Sequence, residues 1–254
     1  MMTLKEKLRR GVPTIGTWLT LAHPALAEIA ARAGFDWVAV DLEHSSITIR
    51  ECEDLLRVLD LAGTTPLVRL TANDSDLIKR VMDSGARGII VPSVSTPEEA
   101  ELAVEAVHYP PRGRRGVGLA RAHAYGADFP GYLKRLEREA VVVAMIENSQ
   151  GVDNAQAILS VAGIDAYLLG PYDMSASLGV AGRLSHPKVE AAIAKVRDAG
   201  RRARKPGGLH VIEPDPAALR RRIKDGFGFI AYSLDTRIYD TALRAALKGL
   251  RSPR

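Results

Sequence analysis

The chain has 254 residues, 46% of them apolar and 26% charged, with a formal net charge of +5. That is enough apolar chain for one large core, and α/β barrels often fill this length as one domain. Basic and acidic residues are mixed along the chain, so the mild basicity is not a nucleic-acid signature, although a weak positive field suits small anionic substrates.

The N-terminus, MMTLKEKLRRG, lacks the apolar stretch of a secretion signal. No apolar run approaches the length of a membrane span, so a soluble, cytoplasmic protein is expected. In chain order the expected strands are Thr14–Leu19, Trp37–Asp41, Pro66–Leu70, Gly88–Pro92, Val141–Glu147, Ala166–Gly170, Gly208–Ile212 and Phe229–Ser233. The expected helices between them are Pro24–Ala33, Ile49–Leu61, Asp74–Ser84, Pro97–Val107, Gln150–Ala162, Pro187–Ala203, Asp215–Asp225 and Thr236–Leu250. Thr96-Pro97-Glu98-Glu99 and Asp215-Pro216 are strong helix starts. Strands alternating with helices imply parallel βαβ units, and eight of them imply an α/β fold of the (β/α)8 TIM-barrel type. A doubly wound open sheet is the alternative, weakened because no GxGxxG turn follows the first strand.

His108–Ala140, rich in Gly, Pro and Arg, reads as one long functional loop. No linker or repeat interrupts the chain, so residues 1–254 are expected to form a single domain. Cys52, the single cysteine, excludes an internal disulfide and reads as a partly buried, inert thiol. The tail, LKGLRSPR, reads as frayed and solvated.

In a barrel the chemistry sits at the C-terminal ends of the strands. The second strand ends in Asp41, Glu43 and His44, the third carries Arg69, the fifth ends in Glu147 and the sixth runs into Asp173. Buried charge at a strand end needs partners or a ligand. Glu147 and Asp173 would repel each other unless a cation lies between them, and oxygen-only ligands suit Mg²⁺ or Mn²⁺. Glu147 would equally serve as a helix cap, and Asp173 as a turn residue with Ser175. His44 has the ordinary pKa of a general base, and Asp41, Glu43 or Asp83 would orient it. Arg69, inside an apolar strand, must reach an anionic ligand or a carboxylate such as Glu43. Gly170-Pro171 turns the chain so that the following amides face the site and suit a carboxylate. Gly207-Gly208 is a weaker candidate for a phosphate-binding turn. Lys79 and Lys205 read as surface residues, so no lysine is placed for Schiff-base chemistry.

Together these residues resemble the HpcH/HpaI family of metal-dependent, class II pyruvate aldolases. The landmarks are GTWLTLAHP, AGFDWVAVDLEH, PLVRL, IIVPSVSTPEEA, YPPRGRRGVG, MIEN and GPYDMSASLG, which span nearly the whole chain. The resemblance implies a barrel of the phosphoenolpyruvate/pyruvate type, a homo-oligomer (hexamer or trimer), and a C-terminal helix exchanged between subunits. It implies Glu147 and Asp173 as ligands of a divalent metal, Mg²⁺, Mn²⁺ or Co²⁺. His44 would assist proton transfer, with Asp83 supporting it, also across a subunit interface. Arg69 would bind the keto oxygen, the amides of Tyr172 and Asp173 the substrate carboxylate, and Trp18 would join them in substrate binding. Met145 stands where family members often carry Gln, which bears on one water-mediated metal contact. Arg121–His123 lies in the loop expected to meet the aldehyde. The implied reaction is reversible aldol cleavage of a 4-hydroxy-2-oxo acid to pyruvate or hydroxypyruvate plus an aldehyde, with neither nucleic acid nor membrane as partner. The alternatives are a citrate-synthase-like enzyme or acyl-CoA lyase on the same scaffold, and a barrel that only binds an oxo acid.

Overall fold

The computed structural model describes residues 2–248 and residue 250. Eight parallel strands close into a barrel in sequence order: β1 (Thr14–Leu19), β2 (Trp37–Asp41), β3 (Thr65–Arg69), β4 (Gly88–Val91), β5 (Val141–Ile146), β6 (Ala166–Leu169), β7 (Gly207–Val211) and β8 (Phe229–Leu234). The helices are α1 (Leu4–Arg9), α2 (Pro24–Arg32), α3 (Ile49–Leu61), α4 (Ser75–Asp83), α5 (Pro97–Val107), α6 (Phe129–Glu139), α7 (Ser149–Ser160), α8 (Pro171–Ser177), α9 (Pro187–Ala203), α10 (Pro216–Lys224) and α11 (Asp235–Leu247). All eight expected strands are present, and no end is shifted by more than one residue. The open doubly wound sheet is excluded by the pairing of β8 with β1.

Sequence chemistry fixes the helix starts. Thr3 with Glu6, Thr48 with Glu51 and Thr96 with Glu99 each form a reciprocal capping box. Three helices lie outside the expected set. One is α1, in the polar-looking N-terminus. Another is α6, inside the stretch read as loop. The third is α8, a short helix directly after β6. The expected frayed tail falls mostly on residues 249 and 251–254, outside the described residues.

Strand side chains alternate between two cores. Outward residues such as Val38, Val68, Ile89 and Val142 pack with Leu55, Leu56 and Leu59 of α3 and Ile78, Val81 and Met82 of α4. The inward core joins Trp18, Trp37, Leu67, Ile90, Val143, Leu168 and Phe229 to Leu4 and Leu8 of α1, so α1 closes the N-terminal mouth. Trp37 stacks on Phe229 with centroids 4.3 Å apart. Gly16 makes room for this, since a Cβ there would lie 2.0 Å from the Trp37 ring. Lys5 is 1% exposed, donates to the Ala140 carbonyl and pairs with Asp165 at 3.3 Å, which satisfies an otherwise costly buried charge.

Several smaller expectations change. Cys52 is fully buried, and burial pushes its thiol up to about 12, so it is inert as expected. Lys205 is half-buried and donates to the Ile164 carbonyl, rather than standing free on the surface. Gly207 and Gly208 belong to β7 itself and form no phosphate-binding turn, and a Cβ on Gly207 would meet the Tyr167 hydroxyl. Among the described residues no helix is long and apolar enough to cross a membrane.

Candidate active site

The alternation that fills the barrel also aims side chains into its C-terminal mouth. Two residues beyond Gly16, Ala39, Leu67 and Gly208 come Trp18, Asp41, Arg69 and His210, on the same inward face, while on β8 a register shift brings Leu234 opposite Trp18. Asp41 and Arg69 are register partners across β2 and β3. Arg69 Nε donates to Asp41 Oδ1 at 2.8 Å and Nη2 to Oδ2 at 2.5 Å, a two-pronged charge-assisted pair. Asp41 Oδ1 also accepts from the backbone N–H groups of Glu43 (3.0 Å) and His44 (3.3 Å). One buried carboxylate therefore orients the arginine and shapes the loop that carries the histidine. Arg69 Nη1 reaches Glu43 Oε2 at 3.4 Å, so Glu43 is its second partner rather than its first. The guanidinium lies 4.5 Å above the Trp18 ring, and Trp18 is 2% exposed.

His44 is exposed and points its Nε2 at Glu43 Oε2, 3.6 Å away. Burial raises the Glu43 carboxyl pKa, and Arg69 opposes the rise. Asp83 does not join this group. Within the chain it pairs with the buried Arg115, which also donates to the Tyr132 hydroxyl at 2.7 Å. The Arg121–His123 segment likewise turns away from the mouth of its own barrel. Arg121 bonds Asp60 at 2.9 Å and the Ser84 carbonyl at 3.1 Å, beside the chain's entry into β4.

Glu147, just after β5, is 4% exposed. It does not cap α7, because Asn148 does so by accepting from the Gly151 N–H. Instead its Oε1 accepts from the backbone N–H (2.6 Å) and hydroxyl (3.0 Å) of Ser93. Ser93 has φ 52, a left-handed conformation costly for a serine. Glu147 Oε2 lies against Gly170, where a Cβ would come within 2.4 Å of it. Burial raises the Glu147 carboxyl pKa; the two Ser93 bonds lower it and the Asp173 charge adds to the rise. Asp173 stands in the first turn of α8, exposed, and the hydroxyl of Ser175 bonds the Tyr172 carbonyl rather than Asp173. Tyr172 is 54% exposed.

A divalent cation fits this donor set. Glu147 Oε2 makes no hydrogen bond among the described residues, Asp173 is a neighbouring carboxylate, and both are hard oxygen donors. Among the described residues no three His, Cys, Asp or Glu side chains form a preformed metal cage, so the remaining ligands of a bound cation would be substrate and water. Met145 is packed into the barrel core at 5% exposure.

Two participants carry no sequence signal of their own: Ser93 acts through its backbone conformation, and His210 is a lone imidazole in an apolar strand. Asp41 stands out as a strand-end carboxylate, but its hold on Arg69 comes from the register.

The barrel and its charged mouth are those of a lyase that makes or breaks carbon–carbon bonds. Residues 14–242 match the HpcH/HpaI aldolase/citrate lyase family, and the chain belongs to it. It is 37% identical to a 2-keto-3-deoxy-L-rhamnonate aldolase of Salmonella gallinarum, over 98% of this chain and 92% of that protein. It is 38% identical to a hydroxypyruvate/pyruvate aldolase of Pseudomonas aeruginosa, over 94% and 89%. A crystal structure of a family member from Burkholderia cenocepacia superposes with a TM-score of 0.91 at 36% identity, covering 98% of this chain and 99% of the other.

Proposed function

We propose that this chain is a divalent-metal-dependent aldolase. It reversibly cleaves a 4-hydroxy-2-oxo acid to pyruvate or hydroxypyruvate and an aldehyde. The observation that carries the reading is Arg69, clamped by Asp41 and set in the same barrel mouth as Glu147 and Asp173. Such an arrangement suits a 2-oxo acid, with one charged group for the keto oxygen and hard donors for a metal.

Glu147 and Asp173 would hold Mg²⁺, Mn²⁺ or Co²⁺, which supplies Lewis-acid polarisation of the oxo acid. Arg69 faces the keto oxygen and stabilises the negative charge that develops there as the enolate forms. The first-turn amides of Tyr172 and Asp173 receive the substrate carboxylate. Trp18 supports Arg69 from below and forms the floor of the substrate site. His44 moves the protons: in cleavage it takes the proton of the C4 hydroxyl as the C3–C4 bond breaks, and in the reverse direction it returns it.

The domain is a single barrel, and its assembly is a homo-oligomer, hexamer or trimer, with α11 exchanged between copies. Helix α11 supports this because it buries no residue in its own chain and exposes Tyr239, Leu243 and Leu247. In such an assembly Asp83 would support His44 from a neighbouring copy. The soluble-oligomer reading places the enzyme in the cytoplasm.

The test is deuterium exchange of the pyruvate methyl protons in D₂O, followed by NMR, with EDTA and then with added Mg²⁺, Mn²⁺ or Co²⁺. Metal-dependent exchange that disappears in His44→Ala is expected. Absence of exchange for both pyruvate and hydroxypyruvate with all three metals would overturn the reading.

A further inference from the structure

His210 has no role in the reaction outlined above, yet it occupies the inward position of β7 beside the substrate floor. In the register it lies opposite Ala231, one inward layer above Gly208. Its Nε2 is 3.1 Å from the Ser233 carbonyl oxygen, which can only accept. Nε2 therefore carries the proton, and in the neutral ring Nδ1 is a bare acceptor. Burial pushes the imidazole down to about 4, which keeps it neutral near pH 7. Among the described residues nothing donates to Nδ1, and this nitrogen is not among the sealed, unpartnered atoms.

The backbone that fixes this tautomer is itself unusual. Ser233 has φ 52 inside a strand, at the point where the β1–β8 register shifts. Its hydroxyl donates to the Ile212 carbonyl at 2.9 Å, and its own carbonyl also accepts from the Thr17 hydroxyl at 3.4 Å. A left-handed serine in a strand persists only where its surroundings hold it there. Here it turns a carbonyl toward His210.

The ring packs edge-on against Trp18, centroids 6.0 Å apart, and Trp18 carries the Arg69 guanidinium 4.5 Å above it. Trp18 thus touches both the imidazole and the group assigned to the C2 oxygen, and the Arg69 charge is felt at His210.

We propose that His210 selects the donor substrate: its Nδ1 accepts a hydrogen bond from the C3 hydroxyl of a 3-hydroxy-2-oxo acid, so that hydroxypyruvate is favoured over pyruvate. The inference rests on the aldolase reading of the same site. C3 is the carbon next to the keto group, and its hydroxyl needs an acceptor once removed from water. The methyl group of pyruvate needs none. A site that bonds a hydroxyl discriminates more strongly than one that merely accommodates it.

The test measures C3 proton exchange in D₂O by NMR, with metal and with hydroxypyruvate or pyruvate as the sole substrate. In the full-length His210→Leu protein the hydroxypyruvate-to-pyruvate ratio of kcat/KM should fall by about 10- to 100-fold. His210→Asn, whose amide oxygen can stand in for Nδ1, should restore most of that ratio. An unmoved ratio in His210→Leu, with both donors slowed alike or neither affected, overturns the proposal. So does a defect that appears only when a hydroxylated aldehyde is added, because the hydrogen bond would then belong to the acceptor. Failure of the aldolase reading looks different: the unaltered protein would exchange neither donor.

Discussion

Asp41 holds Arg69 through both carboxylate oxygens, and the two residues are direct register partners on adjacent parallel strands. The same carboxylate accepts from two backbone amides of the His44 loop. Removing its charge should therefore disturb the arginine and the histidine together. Asp41→Asn should lower the pyruvate exchange rate by about 100-fold through misplacement of Arg69. Asp41→Ala, which leaves the partly buried guanidinium with Glu43 alone, should cost about 1–3 kcal/mol in urea unfolding. Arg69→Ala should abolish turnover while metal binding survives, and a fully active Arg69→Ala protein would remove the role given to that side chain.

Gly170 is where β6 passes against Glu147. A methyl group there meets Glu147 Oε2 at 2.4 Å. Gly170→Ala should push the carboxylate off its position and weaken Mn²⁺ binding by about 10- to 100-fold, the scale seen when groups supporting a metal ligand are altered. Calorimetric titration of Mn²⁺ measures this directly. Unchanged affinity would mean that Glu147 is not a ligand.

His108 is 1% exposed and neither ring nitrogen makes a hydrogen bond, although Nδ1 lies 3.4 Å from Glu137 Oε1; burial, aided by the Arg112 charge and opposed by Glu137, lowers its pKa from 6.5 to about 4. The folded value lies below the unfolded one, so as pH falls the unfolded chain takes up the proton first. The stability tied to a neutral His108 is complete above about pH 6.5 and is lost as pH drops toward 4, on the order of 3 kcal/mol in all. Unfolding midpoints measured from pH 7 to pH 4.5 should fall less steeply in His108→Gln. An identical acid slope in the variant would show that His108 takes up its proton alike in the folded and unfolded chain.

Helix α11 exposes Tyr239 at 66% and both Leu243 and Leu247 at 49%. If the exchanged-helix assembly is right, Tyr239→Asp with Leu243→Asp should yield a 27.4 kDa species by light scattering. A monomeric unaltered protein would end that reading.

Most of the barrel was legible because its strands are apolar runs bounded by turn residues and its helices open on good caps. The missed helices have local causes. In α1 a buried position is filled by Lys5, which looks like surface. In α6 only Tyr132 and Leu136 are buried, a thin stripe inside a Gly- and Pro-rich stretch. In the site, His44, Arg69, Glu147 and Asp173 stood out as charges at strand ends. The grip of Asp41 on Arg69 depends on register, and the hold of Ser93 on Glu147 depends on a backbone angle of φ 52. Neither is written in residue type. The orientation of Asp83 toward Arg115 is likewise a tertiary outcome.

The seam of the barrel joins Thr14–Leu19 to Phe229–Leu234. Trp18 lies on one side of it and Ser233 on the other, with His210 on the strand beside. A ribosome makes the first of these segments well before the second. Until the last strand emerges and docks, Trp18 has no His210 against it and His210 has no Ser233 carbonyl to fix its proton. Competence for substrate therefore waits until β8 has been made. A chain released before β8 would carry Glu147, Asp173 and Arg69 without the floor that assembles around them.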